Sequence, residues 1–286
     1  MNRLLVLVLL VAGLAPAHAA RRVRALDAIA AKLEPTRSVV YKQVGGRELK
    51  LHIFNPAGHK KTDRRAAIVV IHGGGWTGGT PRWFYPISDH FAKLGVVGIS
   101  IEYRLLKKGT DVTVFDCVKD GRSAIRYVRQ HAAELGIDPD HIIASGGSAG
   151  GHVAAGTALF ENVNEAGDDL KISAIPNALV LLYPVIDTGE KGYGQKKIGE
   201  RWKELSPVDN VRAGLPPTLI FHGDGDTVTP YAGAALFQQR MLGAGNDSIL
   251  ITHPGGVHGY LIFDLKLYEE GMLSATRFLQ ARGLIH

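Results

Sequence analysis

The sequence predicts an α/β fold, a mostly parallel sheet with helices on both faces and a β-hairpin at its N-terminal side. Three observations carry this expectation. From about residue 67 onward, short β-branched runs bounded by glycine alternate with longer segments of helical period. The short runs are almost continuously apolar, as strands are when helices cover both faces of a sheet and right-handed crossovers join them. The 286 residues are 45% hydrophobic, enough for one sizeable core, and no repeat, low-complexity tract or Pro/Ser-rich linker divides them.

The elements follow in order. Residues 1–19 read as a signal peptide: Arg3 gives a positive start, 4–14 is almost wholly apolar, and Ala17-His18-Ala19 has the small-x-small form of a cleavage site. The apolar run is well short of the roughly 20 residues that span hydrocarbon. Export, cleavage and a secreted or periplasmic protein without stable membrane insertion are therefore expected, leaving one domain over 20–286. Residues 21–37 form a short, partly helical lead-in with no evident chemistry. Two strands at 39–44 and 48–54 flank Gly45-Gly46, whose positive φ suits a tight hairpin turn. Further strands are predicted at 67–71, 96–101, 141–145, 178–182, 218–221 and 248–251, with helices near 83–94, 114–135, 149–160, 231–242 and 264–282. The least regular stretch, 187–212, holds three glycines between 189 and 194 and the charged 196–204. It is a candidate lid or pocket wall, with a solvated loop as the alternative.

Charge and cysteine exclude several classes. Removing 1–19 takes away Arg3 alone, so 33 Lys+Arg fall to 32 against 27 Asp+Glu, a net +5. These charges are scattered in short runs such as Lys60-Lys61 and Arg64-Arg65, without the aromatic-interleaved basic stripe of a nucleic-acid binder. The single cysteine, Cys117, rules out an internal disulfide and lies in an amphipathic stretch, as buried filler does. No His or Cys spacing indicates a metal site, and no cofactor is expected.

Chemistry concentrates at the ends of predicted strands. After the strand at 141–145 comes Gly146-Gly147-Ser148-Ala149-Gly150-Gly151 and then a helical run. A G-x-S-x-G turn between strand and helix exposes the serine hydroxyl, whereas a phosphate loop would carry a lysine after its glycines. His72-Gly73-Gly74-Gly75-Trp76 follows the strand at 67–71, and consecutive glycines let backbone N–H groups turn toward a developing oxyanion. A serine needs a base, and the base an orienting acid. His222-Gly223-Asp224-Gly225-Asp226 places two carboxylates after the strand at 218–221; Asp226 is preferred as the acid and Asp224 is its competitor. Of the histidines beyond it, His258 lies in a glycine-containing loop, His253 directly follows the last strand, and His286 ends the chain. His258 is thus the base expected for Ser148. His152 reads as a packing residue near the nucleophile.

With these residues in hand, the chain resembles the esterase/lipase branch of the α/β-hydrolases, which contains hormone-sensitive-lipase-like enzymes and bacterial feruloyl- and acetyl-esterase-like proteins. The resemblance runs from about residue 40 to the C-terminus. It rests on His72-Gly73-Gly74-Gly75-Trp76, Glu102-Tyr103-Arg104-Leu105, Asp138-Pro139, Gly147-Ser148-Ala149-Gly150-Gly151-His152, His222-Gly223 with Asp226, and Gly256-Val257-His258-Gly259. It implies the α/β-hydrolase fold and an oxyanion hole formed by the N–H groups of Gly74, Gly75 and Ala149. The cap is minimal here, and Leu106-Lys107-Lys108-Gly109 replaces the usual proline-containing stretch after Tyr-Arg-Leu.

The expected function is serine carboxylic ester hydrolysis of short acyl esters through an acyl-enzyme, on a small-molecule ester or esterified carbohydrate. Acetyl or feruloyl esters of carbohydrates fit Trp76, Trp83, Phe84 and Tyr85 if these aromatics flank the substrate; core packing is their alternative reading. Amide hydrolysis with the same triad and a non-catalytic binding protein are the other function classes; the complete triad argues against the last.

Overall fold

A computed structural model describes residues 23–286 of the chain, so the leader expected over 1–19 lies outside the described residues. The strands are β1 (Arg37–Val44), β2 (Arg47–Phe54), β3 (Arg65–Ile71), β4 (Val97–Ile101), β5 (Ile137–Gly147), β6 (Ala178–Leu182), β7 (Thr218–Gly223) and β8 (Ser248–His253). The helices are α1 (Ala25–Ala30), α2 (Tyr85–Lys93), α3 (Val114–Gln130), α4 (Ala132–Leu135), α5 (Ala149–Leu159), α6 (Gln195–Ile198), α7 (Tyr231–Gly243), α8 (Tyr260–Phe263) and α9 (Leu265–Gln280).

The strands form one sheet in the order β1-β2-β4-β3-β5-β6-β7-β8. β1 and β2 make the predicted hairpin, β2 pairs antiparallel with β4, and every later pairing is parallel. The expected fold class is therefore the observed one. Burial explains the continuous apolar runs. Ala67 through Ile71 of β3 are all 0% exposed. Ala67, Val69 and Ile71 pack with α3, α5 and α7 on one face, while Ile68 and Val70 pack with α2 and α9 on the other. Each large aliphatic side chain buried this way contributes about 1.5–3 kcal/mol.

One predicted helix is interrupted. The stretch read as one helix over 114–135 breaks at His131, whose φ of −100° and ψ of 18° leave the helical region, and Gly136 at φ 65° ends α4. The C-terminal helix expected over 264–282 is continuous as α9, with the short α8 just before it, and the Asp264 carboxylate caps it by accepting the Leu267 N–H at 3.1 Å. At the other end of α3, Thr113 and Asp116 form a reciprocal capping box.

The sheet order brings the loops after β3, β5, β6, β7 and β8 side by side at the carboxyl edge of the sheet, where ligands bind in such folds. Close approach there depends on glycine. A Cβ on Gly150 would lie 2.1 Å from the Ile71 carbonyl oxygen and 2.5 Å from that of His72. Only an unsubstituted residue lets the first turn of α5 rest on the end of β3, so alanine at this position would push the helix off the sheet.

Candidate active site

Ser148 stands between β5 and α5 with φ 56° and ψ −124°. The turn is pinned on both sides: the Ser148 N–H donates to the Leu182 carbonyl at 3.0 Å, and the Ser148 carbonyl accepts from Val185 N–H at 3.1 Å. Such a conformation costs about 1–3 kcal/mol and persists where surrounding structure enforces it. Among the described residues the other non-glycine residues at positive φ are Trp76 (62°) and Tyr183 (37°), which follow β3 and β6 at the same edge.

His258, in the loop after β8, joins the residues that sequence reasoning singled out. Its Nε2 accepts from Ser148 Oγ at 2.9 Å, and its Nδ1 donates to Asp226 Oδ2 at 2.8 Å. Asp226, after β7, has a fully covered side chain, while that of His258 is 23% exposed. Asp226 Oδ1 accepts the N–H groups of Val228 and Thr229, each at 2.9 Å, and Oδ2 also accepts the Thr229 hydroxyl at 2.9 Å. Burial alone would raise the Asp226 carboxyl. His222, whose Nε2 lies 3.5 Å away, the imidazole of His258 and the Thr229 N–H outweigh it and hold the carboxyl far below the ordinary carboxylate range. The acid is thus a fixed negative charge whose oxygens hold the imidazole in one orientation.

Asp224 does other work, its Oδ1 accepting the Gly255 N–H at 2.5 Å. His253 stacks on Tyr260 at 4.7 Å and 7°. His152 is buried, donates from Nε2 to the Leu205 carbonyl at 2.7 Å and meets Trp76 edge-on; burial pushes its imidazole down to about 4, so it packs as a neutral group. Cys117 is likewise buried, donating weakly to the Arg104 carbonyl at 3.1 Å.

The glycine loop after β3 faces the serine. Gly74 and Gly75 take φ values of 121° and 61°. Among the described residues their N–H groups donate to no backbone carbonyl. The loop is held from behind by Tyr103, whose hydroxyl donates to the His72 carbonyl at 2.8 Å, and His72 closes on the Gly73 carbonyl through Nδ1 at 2.8 Å. Burial pushes the His72 imidazole down to about 4, so it too is neutral. Arg104, next in the Tyr-Arg-Leu motif, pairs with Asp120 at 2.8 Å and Glu165 at 2.5 Å, anchoring the strand end that carries Tyr103.

A cleft of about 300 Å³ opens over Ser148, bounded by Gly73–Gly75, Trp83, Phe84, Tyr183 and Tyr193, with Arg24, Val228, His258, Ile262 and Phe263 completing its wall. This revises two expectations. Trp76 and Tyr85 are core residues, 0% and 5% exposed: the positive φ of Trp76 turns its indole inward against His152, and Tyr85 packs edge-on against Phe54. Trp83 and Phe84 do line the cleft, but the Arg24 guanidinium lies over the Trp83 ring at 4.1 Å. The lead-in is also more than a spacer, since it brings Arg24 to the cleft. Of residues 187–212, Tyr193 reaches the wall, and Lys197 donates to its hydroxyl at 2.8 Å and to the Gly75 carbonyl at 3.2 Å. Arg24, Tyr183, Thr229, Tyr193, Ile262 and Phe263 were not visible as site residues in the sequence. Thr229 alone had a local signal, three residues after an aspartate in a turn. Among the described residues, no group of three or more His, Cys, Asp or Glu is placed to hold a metal ion, and no helix is long and apolar enough to cross a membrane.

Comparison with known proteins places this geometry among esterases. The BD-FAE family model matches residues 51–189. Esterase LipQ of Mycobacterium tuberculosis is 27% identical over 85% of this chain and 61% of its own length. The probable isoprenylcysteine alpha-carbonyl methylesterase ICMEL1 of Arabidopsis thaliana is 26% identical over 78% of this chain and 50% of its own length. The chain thus spans about half to three fifths of these relatives. Among solved structures, Thermogutta terrifontis esterase 2 phosphoramylated by tabun superposes with a TM-score of 0.83 at 42% identity, covering 87% of this chain and 95% of that one.

Proposed function

Because the chain belongs to the esterase/lipase family of the α/β-hydrolases, we propose that it hydrolyses short-chain carboxylic esters through an acyl-enzyme on Ser148. The observation that carries this reading is the imidazole of His258 hydrogen-bonded at once to Ser148 Oγ, 2.9 Å, and Asp226 Oδ2, 2.8 Å. With Nδ1–H committed to Asp226, Nε2 keeps its lone pair toward the serine. As Oγ attacks the ester carbonyl, its proton passes to Nε2, and the imidazolium formed is stabilised by the ionised Asp226. Charge develops on the carbonyl oxygen, where the N–H groups of Gly74, Gly75 and Ala149 are the donors we assign to it. Collapse of this intermediate transfers the His258 proton to the departing alcohol. Water, deprotonated by the same Nε2, then releases the acid and restores Ser148.

The size of the cleft supports short acyl groups. At about 300 Å³ it has room for a small ester, and each further methylene gains about 0.8 kcal/mol only where an apolar wall receives it. Solved structures of Thermogutta terrifontis esterase 2 include propionate-bound and butyrate-bound forms, ligands of the same size class. An esterified carbohydrate receives less support, because Trp76 and Tyr85 are buried and Arg24 covers a face of Trp83. The test pairs an acyl series with the nucleophile variant. kcat/KM should be highest between acetyl and butyryl and fall by octanoyl. Ser148→Ala should lose about 10⁴-fold or more of kcat and all labelling by an organophosphonate. Labelling of the alanine variant equal to that of the native chain would overturn the reading.

A further inference from the structure

We propose that the cleft selects esters carrying a carboxylate, received by the Arg24 guanidinium together with the Tyr183 hydroxyl. The inference rests on the ester-hydrolase reading and names the substrate class of that same cleft.

The cleft is apolar apart from its reacting centre. Trp83, Phe84, Ile262 and Phe263 line it, and among the described residues Arg24 is its one Lys or Arg. The nearest fixed anion of the machinery, Asp226, is covered and already engaged with His258, Thr229 and Val228. A cation set among aromatic side chains acts through a lower effective dielectric than one in open water, so its attraction for an anion is stronger there.

The guanidinium is also held ready. Its carbon lies 4.1 Å from the centroid of the Trp83 ring, which occupies one face and leaves the N–H edges for a planar acceptor. The side chain is 21% exposed, and its neighbour Asp27 Oδ1 sits 3.3 Å from Nε. That contact lies off the N–H direction: among the described residues Nε is buried without a hydrogen-bond acceptor. Tyr183 brings the second donor. It is 2% exposed, lines the same cleft, and among the described residues its hydroxyl has no hydrogen-bond partner. Burial pushes the Tyr183 phenol up, so it remains a donor, and the Arg24 charge lies close enough to oppose part of that rise. Buried donors are rarely left unpaired in folded proteins, and two beside one reaction centre are accounted for by an acceptor that arrives with the substrate. A cleft of about 300 Å³ that must also hold the ester leaves room for a compact, planar anion, which a guanidinium fork grips through both oxygens.

The carboxylate can belong to either half of the ester, and two matched pairs separate the sources. One pair is 4-acetoxybenzoate against its neutral methyl ester, with the charge on the alcohol side. The other is 4-nitrophenyl hydrogen glutarate against 4-nitrophenyl butyrate, with the charge on the acyl side. For each pair the ratio of kcat/KM, charged over neutral, is measured in the native chain and in Arg24→Gln and Arg24→Lys. In at least one pair Arg24→Gln should lower the ratio about tenfold or more, mainly through the KM of the charged ester, with Arg24→Lys between it and the native chain. In that pair, raising ionic strength should raise the native chain's KM for the charged ester and leave the neutral one in place. An Arg24→Gln ratio equal to the native one in both pairs overturns the carboxylate inference alone if the neutral esters are still cleaved in a Ser148-dependent way. Failure of the native chain to cleave any of the four esters overturns the inference and the ester-hydrolase reading together.

Discussion

Replacing Asp226 by asparagine tests the electrostatic logic of the site without changing its shape. In the native chain Oδ1 accepts two backbone N–H groups, from Val228 and Thr229 at 2.9 Å each, while Oδ2 accepts from His258 Nδ1 at 2.8 Å and from the Thr229 hydroxyl at 2.9 Å. An asparagine can satisfy only one of these sides with its carbonyl. Turning its NH₂ toward the two backbone N–H groups would bury donors against donors. Turning it toward His258 lets the Thr229 hydroxyl rotate to accept and forces Nδ1 to become an acceptor. The second arrangement leaves no polar group unpaired, so it wins, and the imidazole then carries its proton on Nε2, facing Ser148. A protonated Nε2 cannot receive the serine proton. The loss in kcat should be about 10⁴-fold, equivalent to about 5.4 kcal/mol of barrier, with little change in KM. Hydrolysis of 4-nitrophenyl acetate by purified Asp226→Asn, with a thermal melt to establish folding, measures it. Asp224→Asn is the control, because an asparagine there keeps a carbonyl for the Gly255 N–H that Asp224 accepts at 2.5 Å. If Asp226→Asn kept kcat within about tenfold of the native chain, or if Asp224→Asn were the more damaging, the tautomer argument would be wrong.

Three further outcomes follow from particular contacts. Tyr103→Phe removes the donor to the buried His72 carbonyl, so stability to urea should drop by about 1–2 kcal/mol and kcat should fall more than KM rises; native kcat would show that the loop needs no such brace. The Asp226 carboxyl is held far below its unfolded value of about 3.9, so the unfolded chain binds more protons between the two values and stability rises with pH there. That contribution is fully present above pH of about 4 and is lost as pH falls through the folded-state value, so urea titrations of Asp226→Asn should show a shallower acid limb, and parallel limbs would contradict the shift. In an exporting host the mature chain should begin at Ala20 or Arg21; a mass spectrum with Met1 intact would indicate an uncleaved anchor.

The strands were legible because burial on both faces leaves an unmistakable run such as Ile68-Val69-Val70-Ile71, and the motifs were legible because each follows such a run. Side-chain direction was not. Trp76 and Trp83 lie seven positions apart around the same loop and read alike, yet one is sealed in the core at 0% exposure and the other lines the cleft. What separates them is the backbone of Trp76 at φ 62°, and a sequence pattern does not encode the sign of φ for a tryptophan. Arg24 was missed for a different reason. It sits before a six-residue helix, and the docking of that helix, through Leu26 in the cluster that holds Phe84 and Ile87 and through Arg82 donating to the Ala30 and Leu33 carbonyls, carries the guanidinium to Trp83. Such long-range docking leaves no periodic trace in the lead-in itself.

The two aspartates after β7 show how competition in a sequence can resolve into division of labour. Read along the chain, Asp224 and Asp226 are rival acids two residues apart. In the fold both act on the loop that bears His258, at different points of it. Asp226 holds the imidazole through Nδ1, and Asp224 holds the backbone at Gly255, three residues before it. One fixes the orientation of the ring and the other the position of the loop from which the ring hangs. Substitutions that remove each contact should therefore differ in kind. Losing the Asp226 contact changes which nitrogen carries the proton and leaves the loop in place. Losing the Asp224 contact by alanine leaves the tautomer correct but frees the Gly255 N–H in a loop that holds three glycines and allows the loop to drift. The 2.9 Å approach of Nε2 to Ser148 would then be visited less often, lowering kcat by about 3- to 30-fold, while the pH at which activity is lost on acidification stays where it was. An Asp224→Ala variant in which that pH moves would show that Asp224 shares in holding the charge on the imidazole, and the division between orientation and position would fail.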